Sequence, residues 1–276
     1  MAQTLQDLKA RVAVVTGASA GIGEAIAREL VSHGCPVVLN ARRRERLEAL
    51  RRELGDEDVA IAPGDCADAA VIEAMLNTAR DTFGATGRPA PARDADLVVI
   101  NAGRGLGGTA ITSDESQWDD MIRTNILAAS RMIRAAGKRM LAMQPESAIG
   151  HDPEKHAWLK SPRDIVILGS VVGRHVSPFS SFYSSTKAAI QTLAEGTRRE
   201  LGPKGIRVTL IEPAFVTSEF QSVAGYSQAW YQSMVEKFGP MLMPQDIARL
   251  VAFVVSQPAH VHLSDALIRP TRQEYP

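Results

Sequence analysis

Tyr183 and Lys187 are the pair whose residue types and spacing best fit proton transfer. They lie four residues apart in the segment FYSSTKAAIQTLAEG, and a helix over this segment would place both side chains on one face. Ser170 lies thirteen residues before Tyr183, at the end of the apolar run IVILGS, where parallel-sheet enzymes build their sites. A tyrosine can exchange a proton with a substrate, and a serine can donate to a carbonyl oxygen on which charge develops.

A glycine-rich segment near the N-terminus predicts an anion site. TGASAGIG, residues 16–23, follows the apolar run VAVV and opens a helical pattern. Main-chain N–H groups and the positive end of the helix dipole face one point there, and glycine lets the backbone approach a pyrophosphate. The binding residues would be Gly17, Ser19, Gly21, Ile22 and Gly23. The alternative interpretation is a plain glycine-rich turn.

The end of the second predicted strand bears on which dinucleotide binds. Residues 38–41 are VLNA, and the chain continues into RRRERLEALRRE with no acid at the turn. An acid would bond a ribose 2′-hydroxyl, whereas a basic residue favours a 2′-phosphate, so Arg42 predicts NADP(H) in preference to NAD(H). The alternative is an exposed helix face with i,i+4 ion pairs, which we expect for Arg46, Arg51 and Arg52. Asp65, after the third strand, is expected either to reach the adenine or to cap its loop.

The elements that must position these residues alternate along the chain. Apolar runs predict strands at Arg11–Thr16, Pro36–Ala41, Val59–Gly64, Ala95–Asn101, Arg163–Ser170, Ile206–Pro213 and Leu263–Arg269. Helices are predicted at Gly21–His33, Arg43–Leu54, Asp68–Phe83, Asp114–Met143, Ser181–Leu201 and Gln245–Ser256. This pattern indicates one α/β domain over residues 1–276, a doubly wound parallel sheet of about seven strands with helices on both faces.

Three further segments are expected to lie outside this regular pattern. Residues 84–94 and 144–162 are predicted loop insertions. The second contains Trp158, so we expect it to be either a solvated loop or a packed lid or subunit contact. The segment Gln221–Phe238 contains Tyr226, Trp230, Tyr231 and Phe238. We expect this segment to be either a mobile cover over the substrate-binding site or a small surface helix that packs its aromatic residues into the domain.

Composition excludes several classes of partner. The 276 residues include 31 Lys+Arg and 31 Asp+Glu, and this balance argues against broad binding to nucleic acid or an anionic membrane. Cys35 and Cys66 cannot form a disulfide framework, and no stretch has the roughly 18 apolar residues of a membrane span. We therefore expect a cytoplasmic protein. The histidines lack companion spacing, so no metal site is predicted.

Taken together and in this order, the motifs resemble the short-chain dehydrogenase/reductase family. They are the glycine loop, Asn101-Ala102-Gly103, Asn125, Ser170, Tyr183-x-x-x-Lys187 and Ile211-Glu212-Pro213. The resemblance covers residues 8–271. It implies a Rossmann-type fold, a nicotinamide cofactor, and hydride transfer to or from a small to medium carbonyl or alcohol. It also implies a homodimer or homotetramer built on the helices Asp114–Met143 and Ser181–Leu201.

The resemblance implies a role for each site residue. Tyr183 would be the general acid/base, Ser170 would hold the substrate carbonyl, Lys187 would bind the nicotinamide ribose and lower the tyrosine pKa, and Asn125 would extend a proton relay through water. Lowering a phenol pKa from about 10 to neutrality corresponds to about 4 kcal/mol. The implied cofactor-binding residues are Gly17, Ser19, Gly21, Ile22, Gly23, Arg42, Asp65, Asn101, Ala102, Gly103, Tyr183, Lys187, Pro213 and Thr217.

The chain also departs from the family pattern in three places. Ile100 replaces the first of two asparagines, Ala214 replaces a glycine after the proline, and the ending ALIRPTRQEYP replaces a glycine-rich one. The leading hypothesis is an NADP(H)-dependent oxidoreductase with a moderately apolar pocket. Its borders are expected at Arg104, Leu106, His175, Phe179, Phe215 and Phe220. The alternatives are a non-catalytic NADP-sensing protein and another reaction on the same scaffold, such as epimerisation or dehydration.

Overall fold

Seven parallel strands form one sheet in the part of the chain that the structure describes. The computed structural model describes residues 7–83, 94–143, 157–159 and 161–275. The strands are β1 (Ala13–Thr16), β2 (Val37–Asn40), β3 (Val59–Ile61), β4 (Leu97–Ile100), β5 (Arg163–Leu168), β6 (Ile206–Pro213) and β7 (Asp265–Ile268). Their order is β3-β2-β1-β4-β5-β6-β7, with every neighbouring pair parallel. The predicted Rossmann-type sheet is confirmed, and its winding reverses between β1 and β4, where such folds bind ligands.

Helices cover both faces of this sheet. They are α1 (Gly21–Ser32), α2 (Arg44–Leu54), α3 (Ala69–Phe83), α4 (Trp118–Met121), α5 (Ala128–Ala142), α6 (Ser181–Leu201), α7 (Phe220–Val223), α8 (Gln228–Phe238) and α9 (Pro244–Val255). One core joins the sheet to α3, α5 and α6, and the other joins it to α1, α2 and α9. Within the described ranges, no helix is both long enough and apolar enough to cross a membrane.

The apolar strands explain why the sheet is buried on both sides. Val14 and Val98 belong to one core, whereas Val15 and Val99 belong to the other. All four side chains are fully buried. Successive residues of a strand point to opposite faces, so a run without polar alternation has apolar side chains for both cores. Polar side chains are therefore expected where the strands end.

Buried ion pairs join the amino-terminal edge of the sheet. Arg11 pairs with Asp96 at 2.8 Å and with Asp164 at 2.7 Å, and Arg207 pairs with Asp164 at 2.7 Å. Removing one partner of a buried pair leaves an uncompensated charge and typically costs about 3–5 kcal/mol. This network fixes β1, β4, β5 and β6 at the edge that lies away from Ser170 and Tyr183.

The single helix predicted over Asp114–Met143 is divided in the structure. A 3₁₀ turn (Glu115–Gln117) precedes α4, and a π-helical segment (Ile122–Leu127) separates α4 from α5. Single π-turns inside helices occur often at functional sites. Here the segment carries Asn125, whose side chain is buried.

The expected insertions lie mainly outside the described residues, which omit 84–93, 144–156 and 160. Trp158 is described, and it packs on the turn before β6, where a Cβ at Gly205 would lie 2.8 Å from Cγ of Trp158. This contact is at the amino-terminal edge of the sheet. Trp158 therefore packs on its own domain, away from the residues of the predicted active site.

Candidate active site

The glycine loop joins the end of β1 to the start of α1. Gly17 has φ +68°, and a Cβ there would lie 2.8 Å from Nδ2 of Asn101. A Cβ at Gly23 would lie 2.4 Å from the Gly17 carbonyl oxygen, so the loop and the helix approach too closely for a side chain. Ala20 caps α1 without any side-chain hydrogen bond, which leaves the first N–H groups of the helix available for an anion. These features fit a dinucleotide diphosphate.

Asn101 fixes the shape of this loop from the neighbouring strand. Its Nδ2 donates to the Thr16 carbonyl at 3.0 Å and to the Gly17 carbonyl at 3.3 Å. The Thr16 hydroxyl accepts from the N–H groups of Asn101 and Ala102, both at 3.0 Å. Ile100, which replaces the first family asparagine, is buried in the core. The bonds from Asn101 and Thr16 hold the end of β1 and the end of β4 together.

Basic residues gather where β2 ends. Arg42 lines the same cavity as the glycine loop. Arg43 also lines it, and its Nε donates to Oγ of Ser19 at 3.1 Å. Arg46, expected to pair along its own helix, instead binds Glu219. Arg43 shows no motif of its own in the sequence, and its contact with the glycine loop was missed there.

Asp65 adopts the capping role that was one of its two predicted interpretations. Its Oδ1 accepts from the Ala67 N–H at 2.9 Å, and its Oδ2 accepts from Nε of Arg123 at 3.1 Å. The side chain also lines the cavity. Contact with an adenine remains a prediction.

Ser170, Tyr183 and Lys187 come together at the carboxyl ends of β5 and β6. Nζ of Lys187 donates to the Leu168 carbonyl at 2.8 Å and lies 5.9 Å from the centre of the Tyr183 ring. Oγ of Ser170 is 3.5 Å from the Pro213 carbonyl oxygen and accepts from the Val172 N–H at 3.5 Å. All three side chains are buried. The predicted one-face placement of Tyr183 and Lys187 on α6 is therefore observed.

Burial shifts the pKa values of Tyr183 and Lys187 in the direction that favours the neutral form of each side chain. Burial raises the pKa of Tyr183, although a hydrogen bond with Ser170 opposes this effect. Burial lowers the pKa of Lys187 to about 8. The protein groups around the phenol thus favour its neutral, proton-donating form. The family resemblance implies that the pKa of Tyr183 is lowered, and these protein groups alone do not lower it.

Asn125 is held by three hydrogen bonds to protein atoms. Its Oδ1 accepts from the Arg104 N–H at 2.9 Å, and its Nδ2 donates to the Arg104 carbonyl and to Oγ1 of Thr186, both at 3.0 Å. Gly103 is close enough that a Cβ there would lie 3.3 Å from Oδ1 of Asn125 and 3.5 Å from Nζ of Lys187. Asn125 therefore connects the segment after β4 to α6.

One cavity of about 760 Å³ joins most of the predicted residues. Those along its wall are Gly17, Ser19, Gly21, Ile22, Arg42, Asp65, Asn101, Ala102, Gly103, Ser170, Tyr183, Lys187 and Pro213. Gly23 is buried in α1 behind the loop, and Asn125 lies behind Gly103 and Arg104. The Thr217 hydroxyl is 2.8 Å from the Tyr231 hydroxyl, away from the wall.

Aromatic residues form much of the wall near Tyr183. The Phe220 ring lies 5.6 Å from the Tyr183 ring, and Trp230 stacks on Tyr226 at 4.2 Å. Phe179 and Phe215 also line the cavity. The segment Gln221–Phe238 contributes Tyr226 and Trp230 through α8 and the turn before it, so these aromatic side chains face the cavity as well as packing on each other.

Other expected border residues do not face the cavity freely. Leu106 is buried in a small core with Tyr183, and His175 is absent from the wall. Arg104 lines the cavity, but its Nη1 donates to Asp120 at 2.8 Å and its Nη2 to Gln117 at 2.6 Å. An acidic substrate would therefore compete with an existing ion pair at Arg104.

The C-terminal segment contributes to the wall in a way that the sequence did not indicate. Gln273 and Tyr275 both line the cavity. Oε1 of Gln273 accepts from the Phe215 N–H at 3.3 Å, and the Tyr275 hydroxyl donates to the Val176 carbonyl. In the sequence, the only sign of a difference here was the missing glycine-rich ending of the family. That difference did not indicate that the C-terminal residues would reach the cavity.

Comparisons with known proteins agree with this geometry. Residues 11–228 match the short chain dehydrogenase family. An uncharacterized oxidoreductase of Staphylococcus aureus strain MW2 is 32% identical over 260 residues, 94% of this chain and 97% of that relative. The closed form of a serine dehydrogenase complexed with NADP+ is 31% identical, with a TM-score of 0.79 and 96% of each chain covered. Serine dehydrogenase from Escherichia coli is 29% identical, with a TM-score of 0.73, covering 96% of this chain and all of that one. The chain belongs to the short-chain dehydrogenase/reductase family of oxidoreductases.

Proposed function

We propose that the protein is an NADP(H)-dependent oxidoreductase that transfers a hydride between the nicotinamide and a small to medium, moderately apolar carbonyl or alcohol. One observation carries this proposal: a single cavity contains the glycine loop, Arg42 and Arg43, and the group Ser170, Tyr183 and Lys187. A nucleotide site and a proton-transfer site in one cavity are what hydride transfer to a carbonyl requires.

The chain's own residues would hold the cofactor and complete its chemistry. The cofactor supplies or accepts the hydride when bound. The first turn of α1 would bind its diphosphate, and Lys187, which uses one of its three N–H donors on Leu168, has donors for a ribose. The other proposed binding residues are Gly17, Ser19, Gly21, Ile22, Gly23, Arg42, Asp65, Asn101, Ala102, Gly103, Tyr183, Pro213 and Thr217. Gly23 would act from behind the loop, where its missing side chain lets α1 approach Gly17, and Thr217 would bind once its hydroxyl turns from Tyr231 into the cavity.

In the reduction direction, Tyr183 would donate its phenolic proton to the carbonyl oxygen of the substrate. Ser170 would donate a hydrogen bond to the same oxygen and stabilise the charge that develops there. The raised pKa of Tyr183 keeps the phenol protonated for this step. Asn125 would position the segment 103–104 and α6. It would also extend a proton relay through water. The aromatic wall would exclude bulk water.

Preference for NADP(H) is the finer part of the proposal. Ala41 occupies the turn after β2, and the basic residues Arg42 and Arg43 follow it on the cavity wall. A guanidinium group binds phosphate through charge-assisted, often bidentate hydrogen bonds. The similar serine dehydrogenase in its closed form is complexed with NADP+, which supports the same choice.

The remaining proposals concern organisation and location. We propose one catalytic domain over residues 1–276, with insertions near 84–94 and 144–162 and a substrate cover near 221–238, acting in the cytoplasm. Ile122 and Leu127, within the predicted helix Asp114–Met143, are 38% and 41% exposed, which supports a homodimer or homotetramer through Asp114–Met143 and Ser181–Leu201. Sedimentation that shows only a monomer of 29.8 kDa would contradict the assembly.

The deciding experiment is a screen of carbonyl compounds against oxidation of NADPH and NADH. The panel would run from aldehydes and ketones to 2- and 3-oxo acids, with alcohols, including serine, in the reverse direction. We expect turnover with apolar carbonyls and NADPH, and nearly none in Tyr183→Phe. A protein that binds NADPH but turns over no compound would indicate a nucleotide-sensing role. Isomerised or dehydrated product without net cofactor oxidation would indicate the other family reactions.

A further inference from the structure

Glu219 connects the two ends of the cavity. Its carboxylate accepts from Nη1 of Arg43 and from Nη1 of Arg46, both at 3.0 Å. Arg43 in turn donates to Ser19 in the glycine loop at 3.1 Å. The next residue after Glu219 is Phe220, whose ring packs on Tyr183 with ring centres 5.6 Å apart. The carboxylate therefore lies between the basic residues after β2 and an aromatic ring at the proposed acid/base.

We propose that Glu219 is a built-in competitor for the 2′-phosphate of the cofactor, and that binding of this phosphate releases Glu219 and changes the packing of Phe220 on Tyr183. The inference rests on the proposed NADP(H) function and adds a specificity-determining residue to it. Glu219 lines the same cavity as Arg43, Ser19 and Phe220. Glu219 and Arg43 are 176 residues apart in the sequence, so the fold alone brings them together.

Charge and exposure favour displacement of the carboxylate. The side chains of Arg43, Arg46 and Glu219 are 45%, 53% and 47% exposed, so Glu219 can turn toward solvent without unpacking a core. Exposed carboxylate pairs are weak because water and salt screen them. A phosphate monoester has more charge and more acceptor oxygens, and it binds guanidinium groups more strongly. Two anions on the same guanidinium also repel each other, so the phosphate and the carboxylate compete.

Chain connectivity transmits the displacement to the substrate end. Glu219 directly precedes α7, and Phe220 is its first residue. The Phe220 ring fits against the backbone of Gly105, where a Cβ would lie 2.3 Å from Cζ of Phe220. Gly107 donates to the Ala224 carbonyl at 2.9 Å on the same surface. The two ion pairs of Glu219 anchor the backbone at the start of α7. Their loss would free the residue that holds the Phe220 ring against Gly105, beside Tyr183. Because such coupling is reciprocal, a substrate that orders Phe220 would also alter affinity for the 2′-phosphate.

The test uses two nucleotides that lack nicotinamide and differ by the 2′-phosphate. Isothermal titration calorimetry of 2′,5′-ADP and 5′-AMP would compare the wild type with Glu219→Gln and with the control Glu48→Gln. Glu48 lies on α2 and pairs with Arg44 at 3.6 Å, so its substitution removes the same charge nearby without touching Arg43 or Arg46. We expect Glu219→Gln to bind 2′,5′-ADP about three- to tenfold more tightly, from the usual strength of exposed ion pairs. Binding of 5′-AMP should not change, and Glu48→Gln should match the wild type.

Hydrogen exchange measures the coupling directly. In the wild type, 2′,5′-ADP should increase amide exchange in peptides covering residues 218–226, whereas in Glu219→Gln exchange there should already be fast and should not respond. Equal tightening in Glu48→Gln, or no response of residues 218–226 in the wild type, would overturn the proposal. A wild type that prefers 2′,5′-ADP over 5′-AMP by an amount that Glu219→Gln leaves unchanged would overturn this inference alone. A wild type without that preference would overturn the NADP(H) preference as well.

Discussion

Nδ2 of Asn125 donates to the hydroxyl of Thr186 at 3.0 Å, and that hydroxyl donates to the Tyr183 carbonyl at 2.8 Å. Both side chains are buried. Asn125 belongs to the π-helical segment, whereas Thr186 precedes Lys187 on α6. The interruption in the helix after β4 is therefore bonded directly to the helix that carries the proposed acid/base.

Replacing Thr186 with Val should lower the free energy of unfolding by about 1–3 kcal/mol, because a buried amide donor loses its partner. Urea unfolding followed by circular dichroism would measure the change. Thr186→Ser keeps the hydroxyl and should retain most of the stability. If Val and Ser variants were equally stable, the bond from Asn125 would contribute nothing to the packing of α6.

Tyr183→Phe should remove nearly all turnover while NADPH binding and the fold remain. Only the transferable proton is lost, and general acid/base groups typically contribute about 10²- to 10⁴-fold. Steady-state rates and a fluorescence titration of NADPH would separate the two effects. Retention of half the activity would require another proton donor.

The pKa of Tyr183 gives a spectroscopic prediction. Because burial raises this pKa above its ordinary value of 10.0, the phenol should stay protonated up to pH 10 in the protein alone. The difference in near-ultraviolet absorbance between wild type and Tyr183→Phe should then show no phenolate below that pH. Adding NADP+ brings a cationic ring and should make phenolate appear at lower pH. Phenolate at pH 8 without NADP+ would contradict the effect of burial.

Lys187→Met should stabilise the protein alone near pH 7. Burial lowers the pKa of Lys187 from 10.5 to about 8, so the folded state binds fewer protons than the unfolded state between these values, and wild-type stability rises with pH in that window. The shift corresponds to about 3 kcal/mol in favour of Met at pH 7, and this pH-dependent part of the difference should vanish by about pH 10.5. Thermal unfolding across this range would test it.

The matched control for this measurement is Lys138→Met, since Lys138 is exposed on α5. Any change that this variant shares with Lys187→Met comes from losing a lysine and not from removing a buried charge. A Lys187→Met variant that is less stable than wild type at pH 7 would show that the bond to the Leu168 carbonyl outweighs the cost of burying the charge.

Apolar periodicity was enough to predict the sheet and most helices. Ser181–Leu201 is the same in the prediction and the structure, and the strands differ only by a few residues at their ends. Arg11 and Asp96, which were predicted to lie in strands, precede β1 and β4 and form an ion pair with each other. The division of Asp114–Met143 was not predicted, because the π-helical segment IRTNIL contains no glycine or proline to mark it in the sequence.

Contacts between distant segments explain the rest of what sequence reasoning missed. Asn101, Ser170, Tyr183 and Lys187 were predictable because they follow strands or share one helix face. The contacts of Arg43 with Glu219, and of Gln273 with Phe215, join residues far apart in the chain, and no spacing indicates them. Local pattern therefore locates the proposed proton-transfer group, whereas tertiary packing decides the walls of its cavity.

Arg42→Ala and Arg43→Ala should each weaken NADPH binding and leave NADH binding nearly unchanged. A charge-assisted hydrogen bond contributes about 1.5–3 kcal/mol, or about tenfold to a hundredfold in affinity. Arg51→Ala is the control, because Arg51 pairs with Asp56 at 2.9 Å at the far end of α2. Fluorescence titration of both cofactors would measure the ratio. Equal affinity of the wild type for NADPH and NADH would contradict the proposed preference.

Trp230→Ala should raise KM or lower kcat for apolar carbonyl substrates without changing NADPH affinity. The Trp230 ring stacks on Tyr226 at 4.2 Å and lies 5.5 Å from the Phe215 ring, so its loss opens the aromatic wall to water. Fully burying a large apolar side chain contributes about 1.5–3 kcal/mol, and Trp230 is half-buried before any substrate binds, so part of this amount is available for contact with the substrate. Hydride transfer also benefits from a closed site.

Gln232→Ala is the matched control for this change, since Gln232 is exposed on the same helix and does not line the cavity. It should have wild-type kinetics. The size of the Trp230→Ala effect should grow with the apolar surface of the substrate, because only apolar groups gain from contact with the ring. If Trp230→Ala matched wild type for every accepted carbonyl, the α8 helix would serve packing alone. A preference for serine or another charged hydroxy acid would contradict the moderately apolar pocket.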